Sequence, residues 1–132
     1  MNIVIAEDDR LSGRMLVRAL EEAGHAVTVV EGAGEVSDAC ARAGTGLLLC
    51  DVNLGAGDGI LASLAVRRER PGLAVVIMSA DPQEVARAFR AGFRDVLLKP
   101  FTMDALSAAM DAARKGAFKD VDKMPTPPPA SS

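Results

Sequence analysis

The chain has 132 residues, 49% of them hydrophobic and 25% charged, with a formal net charge of −3, which is one globular domain's worth of sequence and enough to bury a core without staples. The acidic balance, the absence of Trp and Tyr and an aromatic content of 3% argue against nucleic-acid binding by this domain, because neither a field that attracts phosphate nor a stacking surface is present. Cys40 and Cys50 show no metal-ligand or disulfide-framework spacing, no apolar stretch approaches the ~20 residues of a membrane span, and Met1-Asn2-Ile3 runs into a strand instead of a signal peptide; the expectation is a cytoplasmic protein with two buried, reduced cysteines.

Strand-like and helix-like patterns alternate along the chain. Asn2 to Ala6 is an apolar run, and Leu11, Met15, Val17, Leu20 and Ala23 then recur at helical spacing before Gly24. Ala26 to Val30 is β-branched; after Gly32-Ala33-Gly34 a helical stretch carries Val36, Ala39, Cys40 and Ala43. Gly46 to Cys50 is wholly apolar, as suits a strand covered on both faces. Gly55-Ala56-Gly57 turns into a helix with Ile60, Leu61, Leu64 and Ala65, stopped by Pro71-Gly72. Leu73 to Met78 is a fourth strand, and Asp81-Pro82 supplies a cap and a first-turn proline for a helix reaching about Ala91-Gly92. Val96 to Leu98 is a fifth strand, and Thr102 caps a last helix through Leu106, Ala109, Met110 and Ala113. This predicts one domain over residues 1–116 and a disordered Pro-rich tail or linker over 117–132, with Pro125, Pro127, Pro128 and Pro129 among Ser and Thr.

Strands separated by single helices require right-handed crossovers and a parallel sheet. The fold expected is α/β: a five-stranded parallel sheet of order 2-1-3-4-5, flanked by five helices. Winding reverses between strands one and three, and ligands bind outside the carboxyl ends at that reversal. There the sequence places Glu7-Asp8 and Asp51, with Ser79 and Lys99 ending the next two strands.

Two carboxylates about 4 Å apart repel by about 4 kcal/mol at an effective dielectric of ~20, so the cluster must hold a proton or a cation. An all-oxygen set without His or Cys suits Mg²⁺. With such a cation screening an anionic donor, Asp51 becomes a nucleophile able to form an acyl phosphate. Lys99 then neutralises the phosphoryl oxygens and Ser79 offers them a hydroxyl.

The succession Glu7-Asp8, Asp51-Val52-Asn53-Leu54, Asp58-Gly59, Ser79-Ala80 and Lys99-Pro100-Phe101 resembles the receiver domain of two-component response regulators, of the chemotaxis-regulator type, from about Asn2 to Arg114. The resemblance implies that Asp51 is phosphorylated by a histidine kinase or phosphotransfer protein. It further implies Mg²⁺ on Asp8, Asp51 and the Asn53 backbone carbonyl, Glu7 acting largely through water, and Ser79 and Lys99 as switch residues. It implies no enzymatic turnover beyond the protein's own phosphorylation and dephosphorylation. Two positions depart from the family pattern: Val96 stands where an aromatic is usual and Gly55 where a proline is usual. The output is therefore expected to depend on the loop from Ser79 into the fourth helix.

Other residues carry alternative readings. Asp9 and Asp58 suit capping, and His25, after Gly24, is expected to be exposed. Arg87 and Arg90, with Arg94 if the helix reaches that far, share one side of the fourth helix as a solvated face or a docking surface for an acidic partner. Gly32-Ala33-Gly34 with Asp51 downstream faintly resembles a dinucleotide fingerprint, although Ser37 replaces its last glycine and the reading leaves Glu7, Asp8, Ser79 and Lys99 unused. A receiver acting only as a constitutive adaptor is the remaining alternative.

Overall fold

Apolar runs with few turn residues build the sheet, and periodic stretches cover it. The structure, a computed structural model, describes residues 1–42 and 44–119. The strands are β1 (Asn2–Ala6), β2 (Ala26–Val30), β3 (Thr45–Asp51), β4 (Ala74–Ser79) and β5 (Val96–Leu98). They pair in parallel in the order β2-β1-β3-β4-β5, which is the expected topology. The helices are α1 (Arg10–Glu22), α2 (Val36–Ala41), α3 (Gly59–Glu69), α4 (Pro82–Arg90) and α5 (Met103–Lys119).

Caps explain where the helices begin. Asp9 accepts from the Leu11 amide at 3.2 Å, Asp58 from Ile60 at 2.9 Å, Asp81 from Gln83 at 2.9 Å, and the Thr102 hydroxyl from Ala105 at 3.0 Å. Glycines at positive φ, Gly24 at 96° and Gly92 at 98°, follow the ends of α1 and α4.

Alternation along the strands divides the core in two. Val4, Ala6, Leu48, Cys50, Val75 and Ile77 face α2, α3 and α4, while Ile3, Ile5, Leu47, Leu49, Val76 and Met78 face α1 and α5. Both cysteines are buried free thiols, as expected. Burial pushes Cys40 up to about 11 and Cys50 up to about 12, so neither is a ready nucleophile.

Several expectations need correction. On α1, Leu11 and Met15 are 68% and 65% exposed, and Leu16 is buried beside Leu20 instead. On α3, Leu61 is exposed while Ser63 and Val66 face inward. The segment after Gly32 forms a single 3₁₀ turn, Ala33–Glu35, before the six-residue α2, and Ala43 lies outside the described residues. A Cβ on Gly57 would stand 2.5 Å from that of Ala33, so these small residues serve close packing. A short antiparallel ladder, Asn53–Leu54 against Gly57–Asp58, follows β3 where only a turn was expected. His25 is half-buried, with its Nδ1 buried and unbonded. α5 continues through Lys119, beyond the expected boundary at 116; the remaining Pro-rich residues, 120–132, lie outside the described residues.

Candidate functional site

Register decides which strand ends meet. Ala6 pairs with Cys50, Asp51 with Met78, and Ser79 with Leu98, so the strands finish side by side. The pairing extends past the strands: the Glu7 amide donates to the Val30 carbonyl at 3.0 Å and the Lys99 amide to that of Ser79 at 2.8 Å. Glu7, Asp51 and Lys99 continue the alternation of Ile5, Leu49 and Leu97, residues of the α1 and α5 side. Their side chains meet: Lys99 Nζ donates to Glu7 Oε1 at 2.6 Å and to Asp51 Oδ2. The Lys99–Pro100 peptide is cis.

Solvent scarcely reaches the two carboxylates, the Glu7 side chain being 1% exposed and that of Asp51 9%, while that of Lys99 is 23% exposed. Burial, followed by a hydrogen bond to Asp51, pushes the Glu7 carboxyl up to about 7, while Lys99 pulls the other way. Burial opposes the charge on Lys99, but its bonds to Asp51 and Glu7 outweigh that and hold the ammonium above the ordinary lysine value. Asp51 Oδ1 accepts from the Asn53 amide at 2.9 Å, so both carboxylate oxygens are engaged.

The other sequence-predicted residues take up separate positions. Asp8 is exposed, with Oδ2 facing Gly55 across 3.7 Å to where a Cβ would stand. Ser79 is fully buried and continues the opposite alternation, that of Val75 and Ile77; its Oγ accepts from the Asp81 amide at 3.0 Å. Val96 packs against the α2–α4 side of the core. Arg87 is occupied inside the molecule by Asp58 and Glu84, whereas Arg90 is exposed. α4 ends at Arg90, so Arg94 lies on the turn into β5 and not on a shared helical face.

Sequence reasoning missed the Lys99 bridge, the ladder after Asp51 and the Arg87–Asp58 pair. The parity of residues 7, 51 and 99 with the buried odd positions of their strands was the signal for the first. An open cleft of about 790 Å³ beside α1, lined by Glu7, Arg10, Arg14, Val29 and Glu31 among others, reaches the site only through Glu7.

Comparison with known proteins settles the family. The family model for the response regulator receiver domain matches residues 3–111. The chain belongs to the response regulator receiver family. It is 30% identical over 117 residues to the swarming motility regulation protein RssB of Serratia marcescens, covering 87% of this chain and 53% of that protein. It is 34% identical over 111 residues to the DNA-binding transcriptional regulator NtrC of Klebsiella pneumoniae, covering 83% of this chain and 24% of that protein. The receiver thus spans about half or less of the length of these relatives. Among solved structures, a sensor protein from Polaromonas sp. JS666 aligns with TM-score 0.78 and 28% identity, over 88% of this chain and 97% of that one. A two-component response regulator from Clostridium difficile aligns with TM-score 0.76 at 23% identity, over 87% and 96% of the two chains, and shows the shared fold. As a response regulator receiver, this domain serves two-component signalling.

The donor chemistry of the receiver's crevice fits Mg²⁺. Among the described residues no three His, Cys, Asp or Glu side chains form a metal-holding cluster, but Mg²⁺ needs only one or two carboxylates beside waters and phosphate oxygens. Burial first, and the neighbouring Asp51 second, hold the Glu7 carboxyl high. Among the described residues no helix is long and apolar enough to cross a membrane.

Proposed function

We propose that this receiver is a phosphorylation-dependent switch in which Asp51 accepts a phosphoryl group and protein contacts change in response. The observation that carries the reading is the half-buried Lys99 ammonium bonded to both Asp51 and Glu7 at the carboxyl ends of a receiver sheet. The donor is a histidine kinase or phosphotransfer protein, the partner class that two-component membership supports. An Asp51 carboxylate oxygen attacks the phosphorus of a phosphohistidine; the O–P bond forms as the N–P bond breaks, and the imidazole leaves.

Asp8, Asp51 and the Asn53 carbonyl would hold Mg²⁺, with Glu7 acting through water. Bound there, the cation supplies charge neutralisation for the incoming phosphoryl group. Lys99 then turns from its carboxylate partners to the new phosphoryl oxygens, and Ser79 exchanges its bond with the Asp81 amide for one to them. That exchange frees the start of the segment capping α4, which suits an output carried by this loop where Val96 replaces the usual aromatic. The chemistry is confined to gaining and losing one phosphoryl group in the cytoplasm. The constitutive-adaptor reading has no specific observation in its favour.

Mass spectrometry after incubation with acetyl phosphate and Mg²⁺ tests the proposal. One added phosphoryl group is expected, absent when Mg²⁺ is chelated before the incubation and absent in Asp51→Asn. Unmodified protein under conditions that phosphorylate an established receiver would leave the adaptor instead.

A further inference from the structure

Arg87 lies in the middle of α4, remote in sequence from the site. Its guanidinium donates twice to one carboxylate, Nη1 to Asp58 Oδ2 at 2.9 Å and Nη2 to Asp58 Oδ1 at 3.0 Å, while Nε donates to Glu84 Oε2 at 2.9 Å. Exposed ion pairs contribute about 0–1 kcal/mol and usually mean little. This one differs in geometry and in what it grips. The fork is bidentate, the Arg87 and Asp58 side chains are 36% and 32% exposed, and Asp58 also accepts from the Ile60 amide that begins α3.

From Asp58 the connections run directly to the phosphoacceptor. Asp58 pairs with Asn53 across the short ladder, and the Asn53 amide donates to Asp51 Oδ1. Next to Asp58, the Gly59 amide donates to the Val52 carbonyl at 2.7 Å, and a Cβ on Gly59 would overlap the Asp51 carbonyl oxygen. The loop on which Asp51 and the Asn53 carbonyl depend is thus anchored to α4 by one side chain.

We infer that Arg87 is a positioning residue for the Asp51 site, holding from α4, through its paired contact with Asp58, the ladder that presents Asn53 to the phosphoryl-accepting crevice. The inference rests on the phosphoacceptor reading above. By linkage, a partner that draws Arg87 away weakens the site, and a ligand that tightens the ladder draws on α4. Coupling of this kind needs no aromatic at position 96.

The test compares the parent with Arg87→Ala, Arg87→Lys, Asp58→Ser and the Arg87→Ala/Asp58→Ser double variant; serine keeps the α3 cap and removes only the pairing. Mg²⁺ affinity is read by calorimetry, since the chain has no Trp or Tyr. Hydrogen exchange at the Asn53 amide is read without metal, and thermal melting controls for folding. Arg87→Ala and Asp58→Ser are each expected to bind Mg²⁺ about fivefold more weakly and to exchange Asn53 correspondingly faster, with no further loss in the double variant and partial rescue in Arg87→Lys. Affinity and exchange within twofold of the parent, or losses that simply add, would overturn the inference. If the parent itself takes up no Mg²⁺, the phosphoacceptor reading fails, and Asn53 exchange alone then decides the role of Arg87.

Discussion

Glu7 and Asp51 can share a nearly dry crevice because Lys99 stands between them. Removing one partner of a buried charge pair leaves the other without solvent or a counter-charge, which is why such groups are far more sensitive than surface ions. The raised Glu7 carboxyl reflects burial first and the adjoining Asp51 second. The glycine at 59 is equally constrained, by space: its hydrogen lies where any side chain would enter the Asp51 carbonyl. Gly59→Ala should therefore displace the ladder, lower stability by about 1–3 kcal/mol as overpacking does, and slow phosphoryl uptake at Asp51. Urea unfolding and acetyl phosphate incorporation measure the two effects, and normal uptake would separate the ladder from the chemistry.

At the scale of elements, α1 shows a helical stripe only partly placed by its sequence: Leu20 is buried and Val17 packs against the same cluster as expected, while Leu11 and Met15 face out. Leu11 and Met15 fall four apart and suggest a core stripe, yet Leu16 and Leu20, also four apart, are the pair the sheet receives. Asp9 caps the helix three residues after β1 ends at Ala6. Leu16→Ala or Leu20→Ala should cost about 2–5 kcal/mol, whereas Leu11→Gln and Met15→Gln should stay within about 0.5 kcal/mol. Denaturant midpoints check this directly. Equal losses at all four positions would contradict the packing. In α4 the same argument separates the three arginines: Arg87 is spent on Asp58 and Glu84, Arg90 faces solvent, and Arg94 comes after the helix has ended.

Across the whole molecule, the Arg87–Asp58 contact joins α4 to the start of α3 on one side of the sheet and has a signature in pH. Burial disfavours the Asp58 carboxylate, but the bonds from Arg87 and from the Leu61 and Ile60 amides outweigh it and hold the carboxyl below its ordinary value of 3.8. The folded state therefore binds the proton less readily than the unfolded chain, so this stabilisation is fully present above about pH 3.8 and disappears as pH falls through the depressed folded value. Asp58→Asn, which retains a capping side chain, should lose up to about 1 kcal/mol at neutral pH and show a shallower acid limb in unfolding experiments. The strand order and most helix starts were legible because they follow from local causes: apolar runs, capping residues and the hand of parallel crossovers. The reactive residue types at four strand ends were legible for the same reason. The Lys99 bridge, the grip of Arg87 on Asp58 and the Asn53–Asp58 ladder join residues 92, 29 and five positions apart in the chain; strand parity hints that residues 7, 51 and 99 share a face, but no local pattern encodes that Arg87 reaches Asp58. Sequence alone determined which chemical groups reach the carboxyl edge of the sheet, because strand periodicity and crossover geometry are properties of short segments. Only tertiary structure decided which of them touch, because that depends on register, on the face each strand end presents and on the charges burial forces into pairs.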